Sequence, residues 1–442
     1  MLILIILAIA VVSFVNLRIS RSVAYPPFIF ASVWAATLLF LCFLGDMFYP
    51  LTTTTLLYFL AGIVAFSAGG LLALIPNMGI YARSQRRTTP ADRAIVHRVL
   101  DVALLAAFCC LPIYFHYMKS MAFFAKRTSS DLQQIRKGLI TAMNVPGGAG
   151  FRIEPLLLPI FTVLALLAFF EYDGGSNRRW RTYLFILAGL GYALCSSGRS
   201  EVLLLLVGLV AVVWIRLKPP QLRLLGGCAV AFLLLFAVNQ VILGKTNTNA
   251  NASFRENLPA VVNGFASYAI GGVVGFDYVL RNPGVIENGW KPDRVLSSVL
   301  NKFGAHVKEP SRDLGYVGIG NGFVTNVYTT FFAFVDYGIF GMTIWMVALG
   351  AANTIAYRSA IRGSPFGMIF FASGLYGTVV SVFAEEWISR TSYLLKASVI
   401  IIVTYYVVPA LVRQFARKPP SRVSSSPSWK TSFGVRPDVR GT

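Results

Sequence analysis

The stretch with the most chemical content runs from Gly320 to Thr329 and continues as Phe334-Val335-Asp336-Tyr337-Gly338-Ile339-Phe340-Gly341. A polar patch with Thr325, Asn326, Tyr328 and Thr329 leads into an apolar run, and Asp336 is expected one to two turns inside it. A carboxylate in apolar surroundings is costly unless it is paired or wet, so it marks either a functional site or a hydrogen bond between helices. A second candidate is Ser196-Ser197-Gly198-Arg199-Ser200-Glu201, a tight turn between two apolar runs. Arg199 then stands at the mouth of a helix bundle, where scarce water strengthens its field. It either snorkels and pairs with Glu201 or presents its planar fork to phosphate oxygens. The three histidines, His97, His116 and His306, show no metal-ligand spacing. His116 and His306 are candidate general bases, whereas His97 and Asp101, four apart, read as a helix-surface pair. Glu385, Glu386 and Arg390, with Lys396 beyond them, read as a structural ion network. Gly244-Lys245-Thr246 echoes the end of a phosphate-binding loop, but Asn239 takes the first glycine's place and no strand precedes it.

These groups must be held by elements that sit in lipid. Of 442 residues, 56% are hydrophobic and only 13% charged, against about 25% charged in soluble domains, and the mean hydropathy is +0.66. That excludes a soluble enzyme. Apolar runs of spanning length fall at 1–17, 27–45, 54–76, 95–118, 155–172, 182–197, 201–217, 224–243, 329–356, 364–384 and 391–412, which makes eleven. The first run has no basic residue before it and carries Arg18 and Arg21 after it, the reverse of a signal peptide. It is therefore expected to be an uncleaved helix with Met1 outside. Alternation from there places Arg83, Arg86, Arg87, Arg93, Arg178, Arg179, Arg181, Arg216, Lys218, Arg223, Arg358 and Arg362 inside, as the positive-inside rule requires of short loops. The Ser-, Pro- and Arg-rich residues 413–442 read as a basic disordered tail on the same side.

The net charge is +21, yet the outer side carries its own cations. Six basic residues fall in loop 119–154 and eight in loop 244–328. These long loops are either simply solvated or form an anion site at the outer surface. In the first, Arg127, Arg136 and Lys137 alternate with Phe123, Phe124, Leu132 and Ile135, a mixture suited to a helix in the headgroup layer. In the second, Arg255, Arg281 and Arg312 accompany a glycine-containing apolar stretch, Val261 to Leu280. That stretch is expected to be re-entrant or interfacial, because a twelfth span would invert everything after it. The five cysteines all lie in apolar runs and suggest neither disulfides nor a metal site.

With Thr325, Asn326, Tyr328, Thr329, Asp336, Gly338, Gly341 and the Ser-Gly-Arg-Ser turn in place, the chain resembles the oligosaccharide repeat-unit polymerases, the Wzy-type O-antigen polymerases. The overall plan of many helices with two basic outer loops resembles them too. Some members use loop arginines in an Arg-x10-Gly pattern, which Arg127 to Gly138 and Arg136 to Gly147 fit. The resemblance implies an all-α, GT-C-like integral membrane glycosyltransferase of the bacterial inner membrane, with the N-terminus periplasmic and the C-terminus cytoplasmic. It implies transfer of a growing glycan from undecaprenyl diphosphate to the next lipid-linked repeat unit, at the periplasmic face. Such a donor is already activated, so neither a nucleotide nor a cofactor is needed. Arg199 and Arg136, with Arg255, Arg281 or Arg312, become candidates for stabilising the departing diphosphate. Arg127, Lys137, Asn326 and Tyr328 become substrate-binding candidates. His306, Asp336 or a nearby glutamate becomes the candidate proton acceptor. Expected partners are the lipid-linked donor and acceptor, the bilayer, a chain-length regulator and a flippase, with no nucleic acid. The rivals are a lipid-glycan ligase and, outside enzymes, a flippase for the same lipid. Transporters usually carry repeated halves and mid-membrane charges, whereas here the charges gather at helix ends and in loops.

Overall fold

The computed structural model describes residues 1–75, 90–121, 154–171, 179–195, 199–216, 254–282, 300–301, 304–305 and 315–416. The chain is helical, with one two-stranded hairpin among the described residues. The helices are α1 (Leu2–Ser20), α2 (Pro26–Phe43), α3 (Thr53–Leu74), α4 (Pro90–Met121), α5 (Glu154–Glu171), α6 (Arg179–Cys195), α7 (Arg199–Arg216), α8 (Phe254–Arg281), α9 (Gly338–Ile361), α10 (Pro365–Val380), α11 (Thr391–Ile402) and α12 (Val408–Ala416). Six described helical stretches are long and apolar enough to cross a bilayer, with two shorter apolar helices, Leu157–Glu171 and Pro365–Val380, beside them. This is a membrane protein. Ten of the eleven expected runs coincide with helices, and 224–243 lies outside the described residues.

Side-chain pairs sort the helix ends into two levels. The lower end carries the Arg181–Asp101 ion pair at 2.8 Å, the Arg413–Asp92 pair at 3.3 Å and Tyr405 donating to Glu171 at 2.7 Å. Arg216 lies over the Phe170 ring there, and Arg358 donates to the carbonyl of Ala73. Two readings change as a result. Asp101 pairs with Arg181 across helices, in addition to having His97 one turn away on its own. The segment expected to be disordered from 413 begins as helix through Ala416, because Arg413 is drawn back to Asp92. A π-turn at Val403–Val407 separates α11 from α12 and carries Tyr405, the donor to Glu171.

Lipid offers no hydrophobic driving force between helices, so close backbone approach must hold them. α3 and α9 provide it reciprocally. A Cβ on Gly69 would strike the Val347 carbonyl, and one on Gly350 would strike the Phe66 carbonyl. On α10, Gly374 leaves room for the Asn353 amide of α9. Toward the upper end an aromatic cluster joins α2, α3 and α8: Trp34 lies 4.8 Å from Phe59 and 5.0 Å from Phe331, and Phe59 lies 5.5 Å from Phe276.

The apolar stretch in the second loop is α8, and it lies across the upper end of the bundle instead of through it. Its Phe265 meets Phe40, near the end of α2, while its Asp277 accepts hydrogen bonds from the backbone N–H and the hydroxyl of Thr52, just before α3. These residues are about 18 Å apart along the helix, yet both contacts lie at the same level. Gly272, between them, abuts the Val382 carbonyl beyond α10. Asp277 also caps α3, where a negative charge is favourable, and pairs with Arg281 at 2.7 Å.

Over α8 lies the hairpin β1 (Val317–Gly320) and β2 (Phe323–Thr325), with Val317 opposite Thr325 and Gly318 opposite Val324. Its tip is Gly320-Asn321-Gly322, with φ of 128°, 41° and 78°. This hairpin lies within the loop expected over 244–328, and the glycine-flanked turn with the alternation Val317, Ile319, Phe323 is its sequence signal. Asn321 Nδ2 donates to the Asp46 carbonyl at 3.0 Å, and Tyr49 N donates to the Ile319 carbonyl at 2.9 Å, docking the hairpin on the α2–α3 connection.

Replacing Gly350 by valine is expected to destabilise the protein by about 1–3 kcal/mol or more through overpacking. Gly45→Ala, which meets nothing within 4 Å, is expected to stay within about 0.5 kcal/mol. Thermal unfolding of the two variants in detergent checks this, and equal midpoints would contradict the crossing.

Candidate functional site

α10 ends at Val380 and α11 begins at Thr391, so the chain reverses at the upper end with residues that have no helix to satisfy their backbone. Glu385 supplies the acceptor. Its Oε1 accepts from the backbone N–H groups of Trp387 at 2.6 Å and Ile388 at 2.7 Å, and its Oε2 accepts from that of Ser389 at 3.1 Å. The Ser389 hydroxyl closes the turn by donating to the Glu385 carbonyl at 2.9 Å. Burial pushes the Glu385 carboxyl up to about 7, against the pull of these three donors and with the help of neighbouring Glu386.

The turn directs two large side chains. Trp387 packs against the touching pair Phe30 and Phe66, stacking on the latter at 5.4 Å, and donates from Nε1 to the Gly374 carbonyl at 3.0 Å. It fits because Gly377 has no Cβ, which would lie 2.5 Å from the indole. Arg390 reaches three elements at once. Its Nε donates to Glu386 at 2.8 Å, its Nη1 to Glu201 in the first turn of α7 at 3.3 Å, and its Nη2 to the Tyr376 hydroxyl of α10 at 3.2 Å. Burial works against the charge, but Glu201, Tyr376 and Glu386 together hold Arg390 above the ordinary arginine range.

The opposing wall is the segment that follows β2. Thr330 N donates to the Ser381 carbonyl at 2.7 Å, fixing the two walls together. Tyr328 is buried and stacks on Phe332 at 4.8 Å, while Asn326 is exposed. Between the walls is a cavity of about 150 Å³ lined by Asn326, Tyr328, Thr329, Phe383, Glu385 and Glu386, among others. The cavity therefore combines an amide, two carboxylates and apolar surface. Such a lining can hydrogen-bond a polyhydroxylated ligand and take a proton from a hydroxyl. Among the described residues no cluster of His, Cys, Asp or Glu could hold a metal ion.

Of the residues expected from sequence, Asn326 and Tyr328 line this cavity. Arg281 lies apart, committed to Asp277. Asp336 is exposed and precedes the helix, since 330–337 winds as a 3-10 segment and α9 starts only at Gly338, with φ of 64°. It lies within the apolar stretch Thr330–Ile361, six residues past its start. Arg199 is the first residue of α7, with its side chain outside the described residues. Glu201, which the snorkelling alternative pairs with Arg199, bonds to Arg390. His306, Arg312, Arg127, Arg136, Lys137 and the Arg255 side chain lie outside the described residues. Glu386 and Arg390 form part of the ion network expected of them, whereas Glu385 accepts from backbone N–H groups instead. The sequence signal for the cavity wall is an adjacent pair of acids, Glu385 and Glu386, in the short turn between two apolar runs.

No family model matches the chain, and no curated protein and no solved structure is similar to it.

Two outcomes are expected. Because the folded Glu385 carboxyl, at about 7, lies above its ordinary 4.5, the folded chain holds that proton more tightly. Its contribution to stability is full below about 4.5 and is lost as pH rises through about 7. Unfolding midpoints between pH 4.5 and 8 should therefore fall less steeply in Glu385→Gln than in the wild type. Arg390→Met leaves Glu201 and Glu386 without their cation and is expected to cost about 3 kcal/mol, the lower end for a broken buried pair. Adding Glu201→Gln and Glu386→Gln should recover most of it in the same denaturation assay.

Proposed function

We propose that the protein polymerises lipid-linked oligosaccharide repeat units, passing the growing glycan from undecaprenyl diphosphate to the next repeat unit. The observation that carries this reading is the upper-end cavity. In it, Asn326 and Tyr328, from the motif that resembles the Wzy-type polymerases, face Glu385 and Glu386 across a space bounded by apolar side chains. On this reading the upper end is periplasmic, in a bacterial inner membrane, with the N-terminus on that side and the C-terminus in the cytoplasm. A GT-C-like architecture of eleven spans belongs to the same proposal.

The chemistry needs a site for sugar hydroxyls, a proton acceptor, cations for the departing diphosphate and apolar grooves for two polyprenyl chains. The cavity offers the first two. For the cations, Arg390 is already neutralised by Glu201 and Glu386. The role falls to Arg199, whose backbone sits at the N-terminus of α7, where the helix dipole favours anions. Arg136, Arg127, Lys137, Arg255 and Arg312 complete the outer positive charge. Arg281 is assigned instead to holding α8 over the bundle, through Asp277. Exchange of one activated diphosphate linkage for a glycosidic bond requires no nucleotide, metal or cofactor. The working partners are the lipid-linked donor and acceptor, the bilayer, a flippase and a chain-length regulator.

The test is glycan length on a gel, in a deletion strain complemented with wild type or Arg199→Ala and with membrane expression verified. Deletion should leave single repeat units on the final acceptor, and wild type should restore a ladder. Arg199→Ala should lower the rate about 10²–10³-fold, the range for one transition-state donor. Long chains stranded on the carrier would identify a ligase, and repeat units accumulating on the cytoplasmic face would identify a flippase.

A further inference from the structure

We infer that Glu385 is the catalytic base that takes the proton from the attacking hydroxyl of the acceptor glycan. This rests on the polymerase reading above and names the group at its centre.

The carboxylates near the cavity are not equivalent. Glu386 has its Oε2 on Arg390 at 2.8 Å, and Glu201 spends both oxygens on the same guanidinium at 3.3 and 3.4 Å. Asp336 is exposed and is not part of the cavity lining. Glu385 lines the cavity, has no ion-pair partner among the described residues, and is 7% exposed. A carboxylate offers about four lone-pair sites, and the backbone fills three of them: two on Oε1 and one on Oε2. One site on Oε2 is left. The three N–H bonds fix the rotamer, so that site is held in place before any substrate arrives, as proton transfer in a bound complex requires.

The charged and titratable groups around it are Glu386 and Arg390 on its own turn, Glu201 from α7, Tyr376 from α10 and Tyr328 on the opposing wall. The pair Glu386 and Glu201 is balanced mainly by Arg390, so Glu385 feels little net positive charge and its burial dominates. Its carboxyl at about 7 is matched to general-base work near neutral pH.

In the step, the acceptor hydroxyl oxygen forms a bond to the anomeric carbon of the donor glycan. The bond from that carbon to the diphosphate oxygen breaks, and its electron pair leaves on undecaprenyl diphosphate. The hydroxyl proton passes to Glu385 Oε2 and then to water on the periplasmic side.

The test uses the full-length protein in liposomes, with lipid-linked repeat units as donor and acceptor, and measures initial rates of chain lengthening from pH 5.5 to 8.5. The wild-type rate should rise with pH through about 7 and then level off. Glu385→Gln should lose about 10²–10⁴-fold in kcat with KM little changed, and its residual rate should lack that limb. Glu386→Gln should keep the limb. A flat wild-type profile, or a Glu385→Gln variant with the wild-type rate and profile, would overturn the assignment while leaving polymerisation standing. The wild-type profile needs no variant to fold. Failure of the wild type to lengthen glycans at any pH would overturn the polymerase reading and the assignment with it.

Discussion

A carboxylate taken out of water must be given donors, and the turn between α10 and α11 is built on that requirement. Glu385 gathers the N–H groups of Trp387, Ile388 and Ser389, and everything the turn holds follows from their placement. Trp387 is sent into the aromatic cluster of α2 and α3, where Gly374 and Gly377 of α10 make room and provide an acceptor. Arg390 is sent the other way, to Glu201 on α7 and Tyr376 on α10. One buried acid thus fixes how four helices meet at the upper end. The same acid borders the cavity, so the framework and the proposed chemistry share a side chain.

The cover over that end obeys the same rule. α8 lies across the helix ends, and its buried Asp277 is satisfied by Thr52 and Arg281. Glycines 271, 272 and 275 let Thr325, Ile319 and the Val382 carbonyl approach its backbone. The hairpin above is tied to the α2–α3 connection through Asn321 and Tyr49. In low-dielectric surroundings oriented donors and charges act more strongly on a developing diphosphate. The proposed division of labour is then physical. Carboxylates and an amide handle sugar hydroxyls, while cations at the outer surface handle phosphate.

The apolar helices were legible because an uninterrupted apolar run is a local property, and lipid tolerates little else. Asn326 and Tyr328 were legible for a similar reason, since polar groups beside a span mark themselves. Two features escaped. The hairpin was read as loop because its strands are only four and three residues long. The importance of Glu385 and Arg390 depended on partners far away in sequence, Glu201 for the arginine and the facing Tyr328 wall for the acid. Long-range pairing leaves no periodic trace in a single chain. Arg281, attractive as a loose loop cation, turned out to have its partner one helical turn away at Asp277.

The most direct measurement of the central claim is product stoichiometry. Purified protein in liposomes is supplied with lipid-linked repeat units, and released undecaprenyl diphosphate is counted against glycosidic bonds formed. The account predicts one diphosphate carrier released for each repeat unit added, with chain length growing as release proceeds. Carrier release without chain growth, or movement of the lipid-linked unit across the bilayer with no release at all, would contradict it.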